Sequence, residues 1–430
     1  NVGHYRAGIA AMQAADAPLQ GLSSADPDEL RHAELAGLDL KAGTLVLMLA
    51  NAGRYREATT AGEQQLEAIH SRLTRDALLQ HAATGWTAWA DGCFGLALAR
   101  GAQGDPAGAT ELMDLARCGY RAEPHHALES LVLAHRLQEV LCPYGADRLA
   151  ERARIAADAE AAAARATGAL RSDASARSAS LPVLLIEGHW DAAQAAALPE
   201  IGELAMFSEV SQRSVATLGW WRGAPEVAWE QIRAVLSDGP ATAPGDTLFF
   251  NGVALVRLAG RLALDAADLG AARAWLEAHD RWLDWSGAVL GRAEGTLLWA
   301  QYHHADGNRS LGRQRAEQAL TYASDPRQPL ALLAVHRFLG MLDTEERRFA
   351  DAEAHLQQSL ALADACAAPF ERALTLLELA GLRAAEGRTD DAHRLLAEVR
   401  ALCEPLEAKP TLARVDALEQ RLAATGARDA

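Results

Sequence analysis

Lysine is almost absent from this sequence: Lys41 and Lys409 are the only two in 430 residues. A phosphate-cradling loop needs Gly-x-x-x-x-Gly-Lys, and neither lysine stands in that context, which excludes a P-loop nucleotidase. Cysteine is sparse as well. Cys93, Cys118, Cys142, Cys366 and Cys403 are odd in number, scattered and form no CxxC, the pattern of reduced core thiols in a cytoplasmic protein. Long apolar runs are missing. None approaches the roughly 18 residues of a membrane-spanning helix, so no membrane association is expected. Arg6 and His4 fall where a signal peptide would place its apolar core, and no initiating Met is present. The chain therefore reads as processed or as a piece of a longer protein. A positive excess is lacking too: 41 basic against 57 acidic residues give a net charge of −16. That balance removes the basic footprint of a nucleic-acid-binding domain. No HExxH and no GxSxG occur, and no strand pattern precedes a dinucleotide fingerprint.

Alanine is what the sequence has in excess, with 96 residues. It is the strongest helix former and a poor strand residue, so composition favours an all-α chain. The hydrophobic share of 50% is too high for disorder. Length alone, at roughly 150 residues per domain, would suggest about three domains.

A repeated phrase replaces that estimate. A turn residue is followed by four variable positions and a small residue that opens an alanine- and leucine-rich helix. It reads GRYREA at 53–58, GDPAGA at 104–109, GADRLA at 145–150, GHWDAA at 188–193 and GAPEVA at 223–228. Further copies start at Ala267, Gly307, Arg347 and Gly387, and the last three intervals are all 40 residues. Twelve residues before the closing small residue stands another in six copies: Ala97, Ala216, Gly260, Ala300, Gly340 and Ala380. Leu181 occupies that position in the 188 copy. Four residues after the closing residue a larger apolar one recurs, at Met113, Ile232, Leu276, Leu356 and Leu396, on the same helix face. Each unit predicts two helices that touch through small side chains across a tight turn, and stacked units share one core.

The predicted fold is an all-α, right-handed superhelical solenoid of about nine helix-turn-helix hairpins. Residues 1–50 read as lead-in helices, with a loop at Ser23–Pro27. Residues 51–404 read as the repeat array, and 405–430 as a capping helix and tail. Asp238 to Gly245 reads as the clearest long loop.

Candidate site residues follow from the register. Ten residues before a phrase start is an inward position on the first helix, and it holds Arg213, Arg257 and Arg337. Thr217, Arg261, Gln301 and Met341 lie one turn on, followed by Trp220 and His304. Guanidinium forks in such a column suit a carboxylate-bearing peptide or a phosphorylated ligand. The alternative is that they pair with local Asp and Glu. Seven of ten tryptophans fall between Trp220 and Trp299, either as core filler or as a pocket with Phe250 in its wall. Adjacent histidines at His125-His126 and His303-His304 point to different helix sides and do not chelate together. No catalytic residue, metal ligand or cofactor site is expected.

These hairpins resemble the tetratricopeptide repeat. The runs RRFADAEAHLQQSLALADA at 347–365 and PFERALTLLELAGLRAAEGRTDDAHRLLAEVRALCEPLEAKPTLARV at 369–415 are more specifically similar to the helical-repeat sensor region of LuxR-type, maltose-regulator-like, ATP-dependent transcription regulators. The resemblance implies a non-catalytic sensing module that binds a small-molecule inducer or a partner protein in its concave groove. It also implies flanking ATPase and DNA-binding domains in the parent chain, with no nucleic acid bound by this segment. No single binding residue transfers. The competing readings are a free-standing scaffold for protein–protein interaction and, more remotely, an α/α enzyme with dispersed catalytic residues.

Overall fold

The computed structural model describes residues 5–14, 42–72, 86–122, 125–166, 173–198 and 205–429. Within them the chain is all-helical, with no β-strand. Helix α1 (Tyr5–Ala14) precedes a run of hairpins. The hairpins pair α2 (42–51) with α3 (Tyr55–Arg72), α4 (Trp86–Ala102) with α5 (Pro106–Ala122), and α6 with α7 (Leu149–Arg165). Helix α6 runs from His126–His135 through a π-helical stretch, Arg136–Leu141, into Cys142–Gly145. Next come α8 (Asp173–Ile186) with α9 (Trp190–Ala197), α10 (Ala205–Trp221) with α11 (Pro225–Val235), and α12 (Phe249–Asp265) with α13 (Leu269–Ser286). The last three pairs are α14 (Arg292–Ala305) with α15 (Arg309–Ser324), α16 (Pro329–Glu345) with α17 (Phe349–Ala365), and α18 (Pro369–Ala385) with α19 (Thr389–Cys403). Helix α20 (Lys409–Asp429) closes the array, which is an α-solenoid of nine hairpins among the described residues.

The turn inside each hairpin explains the recurring phrase. At the first, Gly53 N–H donates to the Ala50 carbonyl at 2.9 Å and Arg54 N–H to the Leu49 carbonyl at 2.9 Å. This pair of hydrogen bonds closes a helix through one left-handed residue. The same pair of bonds recurs at Gly104, Gly188, Gly223, Ala267, Gly307, Arg347 and Gly387, and each of these has a positive φ. The phrase start is thus the left-handed residue in eight of nine copies. Between hairpins, Ala367 and Glu407 close helices in the same way. Helices α16, α17 and α18 are each 17 residues long, so a helix plus its three-residue turn takes 20 residues and a hairpin takes 40.

The closing small residue is the third after the helix start. Ala58, Ala109, Ala193, Ala228, Ala272, Ala352 and Ala392 are all completely buried there, against the first helix. Met113, Ile232, Leu276, Leu356 and Leu396 are buried one turn on. The 145 copy departs from this. Helix α7 starts at Leu149, Ala150 is exposed, and the buried third position belongs to Arg152. The expected register was therefore two residues early there, because a long cation occupies the small-residue site.

Two expected boundaries also move. The split at 50/51 falls at the end of α2, which is the first helix of the first hairpin. Helix α20 continues to Asp429, through the stretch expected to be a tail. The Ser23–Pro27 loop lies outside the described residues. The Asp238–Gly245 loop is present and includes a short turn, Gly239–Ala241, with Trp282 Nε1 donating to the Thr242 carbonyl at 3.0 Å.

The superhelix closes on itself. Each of the first five hairpins meets the start of a first helix five hairpins later. Gly53 abuts the Phe249 ring at the start of α12. Val289 and Leu290 N–H, leading into α14, donate to the Ala102 carbonyl at 2.8 and 3.0 Å. Arg327, before α16, pairs with Asp147 at 2.7 Å. Gly188 abuts Pro369 at the start of α18, and Gly223 abuts Pro410 in α20. Arg152 donates to the Ala146 carbonyl at 2.5 Å, to the Cys366 carbonyl at 3.0 Å and to Glu187 at 2.6 Å, bridging 214 residues of chain. One superhelical turn thus takes five hairpins, and a second turn is seated on the first.

Candidate functional site

The second superhelical turn, together with α10 at the end of the first, surrounds an open-mouthed cavity of about 790 Å³. Its walls are the ends of α10, α12 and α14, the middle of α16 and the starts of α18 and α20, six first-position helices in a ring. First helices face inward because second helices take the outside of a hairpin stack, and the ring closes where Gly223 meets Pro410.

Six of the ten sequence-derived residues line this cavity: Trp220, Arg261, Gln301, His304, Arg337 and Met341. Two more, Phe250 and Arg257, line a separate cavity of about 170 Å³ near the junction with the first superhelical turn. Arg213 lines neither. Its guanidinium lies over the Phe250 ring, 5.0 Å from the centroid. Thr217 also lines neither, and its hydroxyl donates to the Arg213 carbonyl at 2.8 Å.

The large cavity is an aromatic bowl edged by ion pairs. Trp220, Trp221, Phe338 and Phe370 supply the apolar surface. Trp221 packs against Trp190 at 5.0 Å and Phe370 at 5.4 Å, which fixes its ring. Arg261 lies 5.5 Å from the Trp220 centroid, donates to Gln301 Oε1 at 2.7 Å and sits 3.1 Å from Asp265. Trp220 Nε1 donates to the same carboxylate at 2.7 Å. Burial pulls the Arg261 guanidinium below its usual pKa, and the Asp265 charge opposes this. Arg337 donates to Glu371 at 2.6 Å, and Arg414 pairs with Glu378. His304 Nε2 is 3.4 Å from Glu345.

Arg261 is partnered by Asp265 one turn on in the same helix and Arg337 by Glu371 of the next hairpin, so the free arginine column expected from the register is interrupted. The cavity is polar through matched pairs. Trp275 and Trp282 are core residues, and Trp285 is exposed. His303 stacks on Trp299 at 5.7 Å while His304 meets Phe338 at 6.0 Å, so the adjacent histidines do diverge. Among the described residues no cluster of three metal-ligating side chains forms, and no helix is long and apolar enough to cross a membrane.

Register reasoning missed Trp221, Asp265, Phe370, Glu371, Glu378 and Arg414. Trp221 was legible as the neighbour of Trp220. Asp265 is the i+4 neighbour of Arg261 on the same helix, while Phe370, Glu371, Glu378 and Arg414 lie on α18 and α20, which superhelix closure brings in without a sequence period. Comparison with known proteins matches no family model and no curated relative.

Proposed function

We propose that this chain is the sensing module of a cytoplasmic LuxR-type transcription regulator, and that its inducer occupies the large cavity. The observation that carries the binding half is the ring itself. A space of about 790 Å³ walled by six helices has the volume and the apolar lining of small-molecule sites. A ring of this kind favours a small molecule over a protein surface. The regulator half rests on the resemblance of residues 347–415. The reading is non-catalytic: Asp265, Glu371 and Glu378 each pair with an arginine, which occupies the carboxylates that acid or base chemistry would need free.

The mechanism follows from closure. A ligand that touches α10 and α20 together favours the seated form of the second turn over an opened one, by its difference in affinity for the two. That difference would reach flanking domains as a coupling of about 1–3 kcal/mol.

A thermal-shift screen of metabolites tests the site. A ligand that raises the melting temperature of the native chain should lose its effect in Trp220→Ala and Arg261→Gln. Ligands that keep their full effect in both variants would refute the cavity. The coding sequence flanking this chain in its gene tests the regulator half, which needs an upstream P-loop and a downstream helix-turn-helix. Their absence would leave the free-standing scaffold.

A further inference from the structure

The smaller cavity, about 170 Å³, is built differently from the large one. It lies between α6 of the first superhelical turn and α12, α14 and α16 of the second. Its one ion pair, Arg257 with Glu294, is not hydrogen-bonded. Arg257 has Glu294 as its nearest carboxylate at 3.8 Å, too long for a hydrogen bond. The other Glu294 oxygen, Oε2, is buried and accepts from nothing. Arg213 borders the same place. Its guanidinium covers Phe250, a wall residue, and no carboxylate among the described residues lies within ion-pair distance of it. Burial, with Arg257 adding repulsion, draws the Arg213 pKa down to about 10 although Glu139 opposes this. Behind the wall, a Cβ at Gly291 would stand 3.3 Å from Arg257 Nη1 and 3.8 Å from His279 Nε2, a buried nitrogen that also lacks a hydrogen-bond partner.

Buried polar groups are normally paired, and a buried charge left unpaired is costly. In the large cavity Arg261, Arg337 and Arg414 each have a carboxylate partner. Around the small cavity the Arg257 guanidinium has no carboxylate within hydrogen-bond distance and the buried Glu294 oxygen has no donor. A ligand would have to bring an acceptor for Arg257 and a donor for Glu294. The space equals five or six waters at roughly 30 Å³ each.

We propose that this cavity binds a small carboxylic acid bearing a hydrogen-bond donor on its α-carbon, an α-amino or α-hydroxy acid. Its carboxylate faces Arg257, with the Arg213 charge behind Phe250, and its ammonium or hydroxyl donates to Glu294 Oε2. The site is distinct from the large cavity and does not depend on the reading given to it. Because its walls come from both superhelical turns, occupancy would pin one turn to the other.

Calorimetric titration and melting of the full chain test this with L-serine, L-lactate, acetate and inorganic phosphate as probes. L-serine or L-lactate should bind one per chain and raise the melting temperature. Acetate offers Glu294 no donor and phosphate brings a second negative charge against it, so both should bind at least about tenfold more weakly. Arg257→Gln should abolish binding. Glu294→Gln, nearly isosteric and the safer variant for folding, should weaken it by about tenfold or more. Arg337→Ala, in the large cavity, should leave it unchanged. Preference for serine over lactate would identify the donor as an ammonium, and the reverse as a hydroxyl. Binding of neither acid, equal binding of acetate or phosphate, or indifference to Glu294→Gln would each overturn the proposal.

Discussion

Eight hairpin turns and two turns between hairpins hold one residue in the left-handed region, and four of these ten use a side chain there: Ala267, Arg347, Ala367 and Glu407 have φ between 50° and 59°. A Cβ in that conformation costs roughly 1–2 kcal/mol, which glycine avoids. Ala267→Gly should therefore raise stability in urea melts by about 0.5 kcal/mol, after the entropy glycine adds to the unfolded chain. The reverse change, Gly387→Ala, should lower it by about 1 kcal/mol. Equal and small effects of both changes would mean that these turns relax out of the left-handed region. Two buried titratable side chains set the pH range. Burial raises the Glu209 carboxyl from 4.5 to about 7, although the Leu248 N–H donates to it at 2.8 Å. The folded state thus favours the protonated form. Its stabilising contribution is complete below pH 4.5 and lost as the pH rises through 7. Burial, with the His355 ring 2.9 Å away, lowers His336 from 6.5 to about 4. Folding here favours the neutral ring. That contribution is complete above pH 6.5 and lost as the pH falls through 4. Each window spans up to about 3 kcal/mol. Glu209→Gln should stabilise the chain at pH 8 and not at pH 4, and His336→Leu should flatten the acid side. Parallel pH–stability curves for variants and native chain would contradict both assignments.

Within a hairpin, the small position on the first helix decides how close the two backbones come. At Gly340 a Cβ would stand 2.7 and 2.8 Å from Leu356 side-chain carbons and 3.3 Å from the Ala352 carbonyl, so α16 and α17 are in backbone contact there. At Gly260 the equivalent Cβ would find its nearest neighbour at 3.6 Å. The same substitution should therefore have opposite signs. Gly340→Ala should cost about 1–3 kcal/mol through overpacking. Gly260→Ala should gain about 0.5–1 kcal/mol from helix propensity. Chemical denaturation of the two variants checks this, and a loss in both would show that α12 and α13 are as tightly apposed as α16 and α17. The contrast also shows what the sequence could reveal at this scale. Small residues and a turn residue at fixed spacing gave the hairpins, their turns and the inward face that carries Trp220, Arg261, Gln301, His304, Arg337 and Met341. Arg152 broke the reading because its role is to carry hydrogen bonds at a site where every other hairpin needs only a lack of bulk. Its partners at Glu187 and Cys366 are far along the chain.

At the scale of the molecule, the seat of one superhelical turn on the other is what a repeat pattern does not encode. In a simple solenoid each unit touches only its neighbours, so stability is a sum of local terms and an end can fray without the rest. Here Arg152 and Asp147 tie α6 and α7 to the segments before α16 and α18, about 200 residues away. The same closure brings Phe370, Glu371 and Arg414 to the cavity, which is why a periodic register found one side of the bowl and not the other. The closure has an energetic consequence. Arg152 is fully buried, and truncating it leaves Glu187 and two carbonyls without their donor. Arg152→Met should cost about 3–5 kcal/mol, the range for removing one partner of a buried charge pair. The distribution of that loss is the sharper test. Hydrogen exchange should accelerate in α6–α8 and also in α16–α18, and the single melting transition expected of an interlocked array should broaden or split. Acceleration confined to α6–α8, with the melt still sharp, would mean that the contacts between superhelical turns hold no cooperative energy. The chain would then behave as an ordinary string of hairpins.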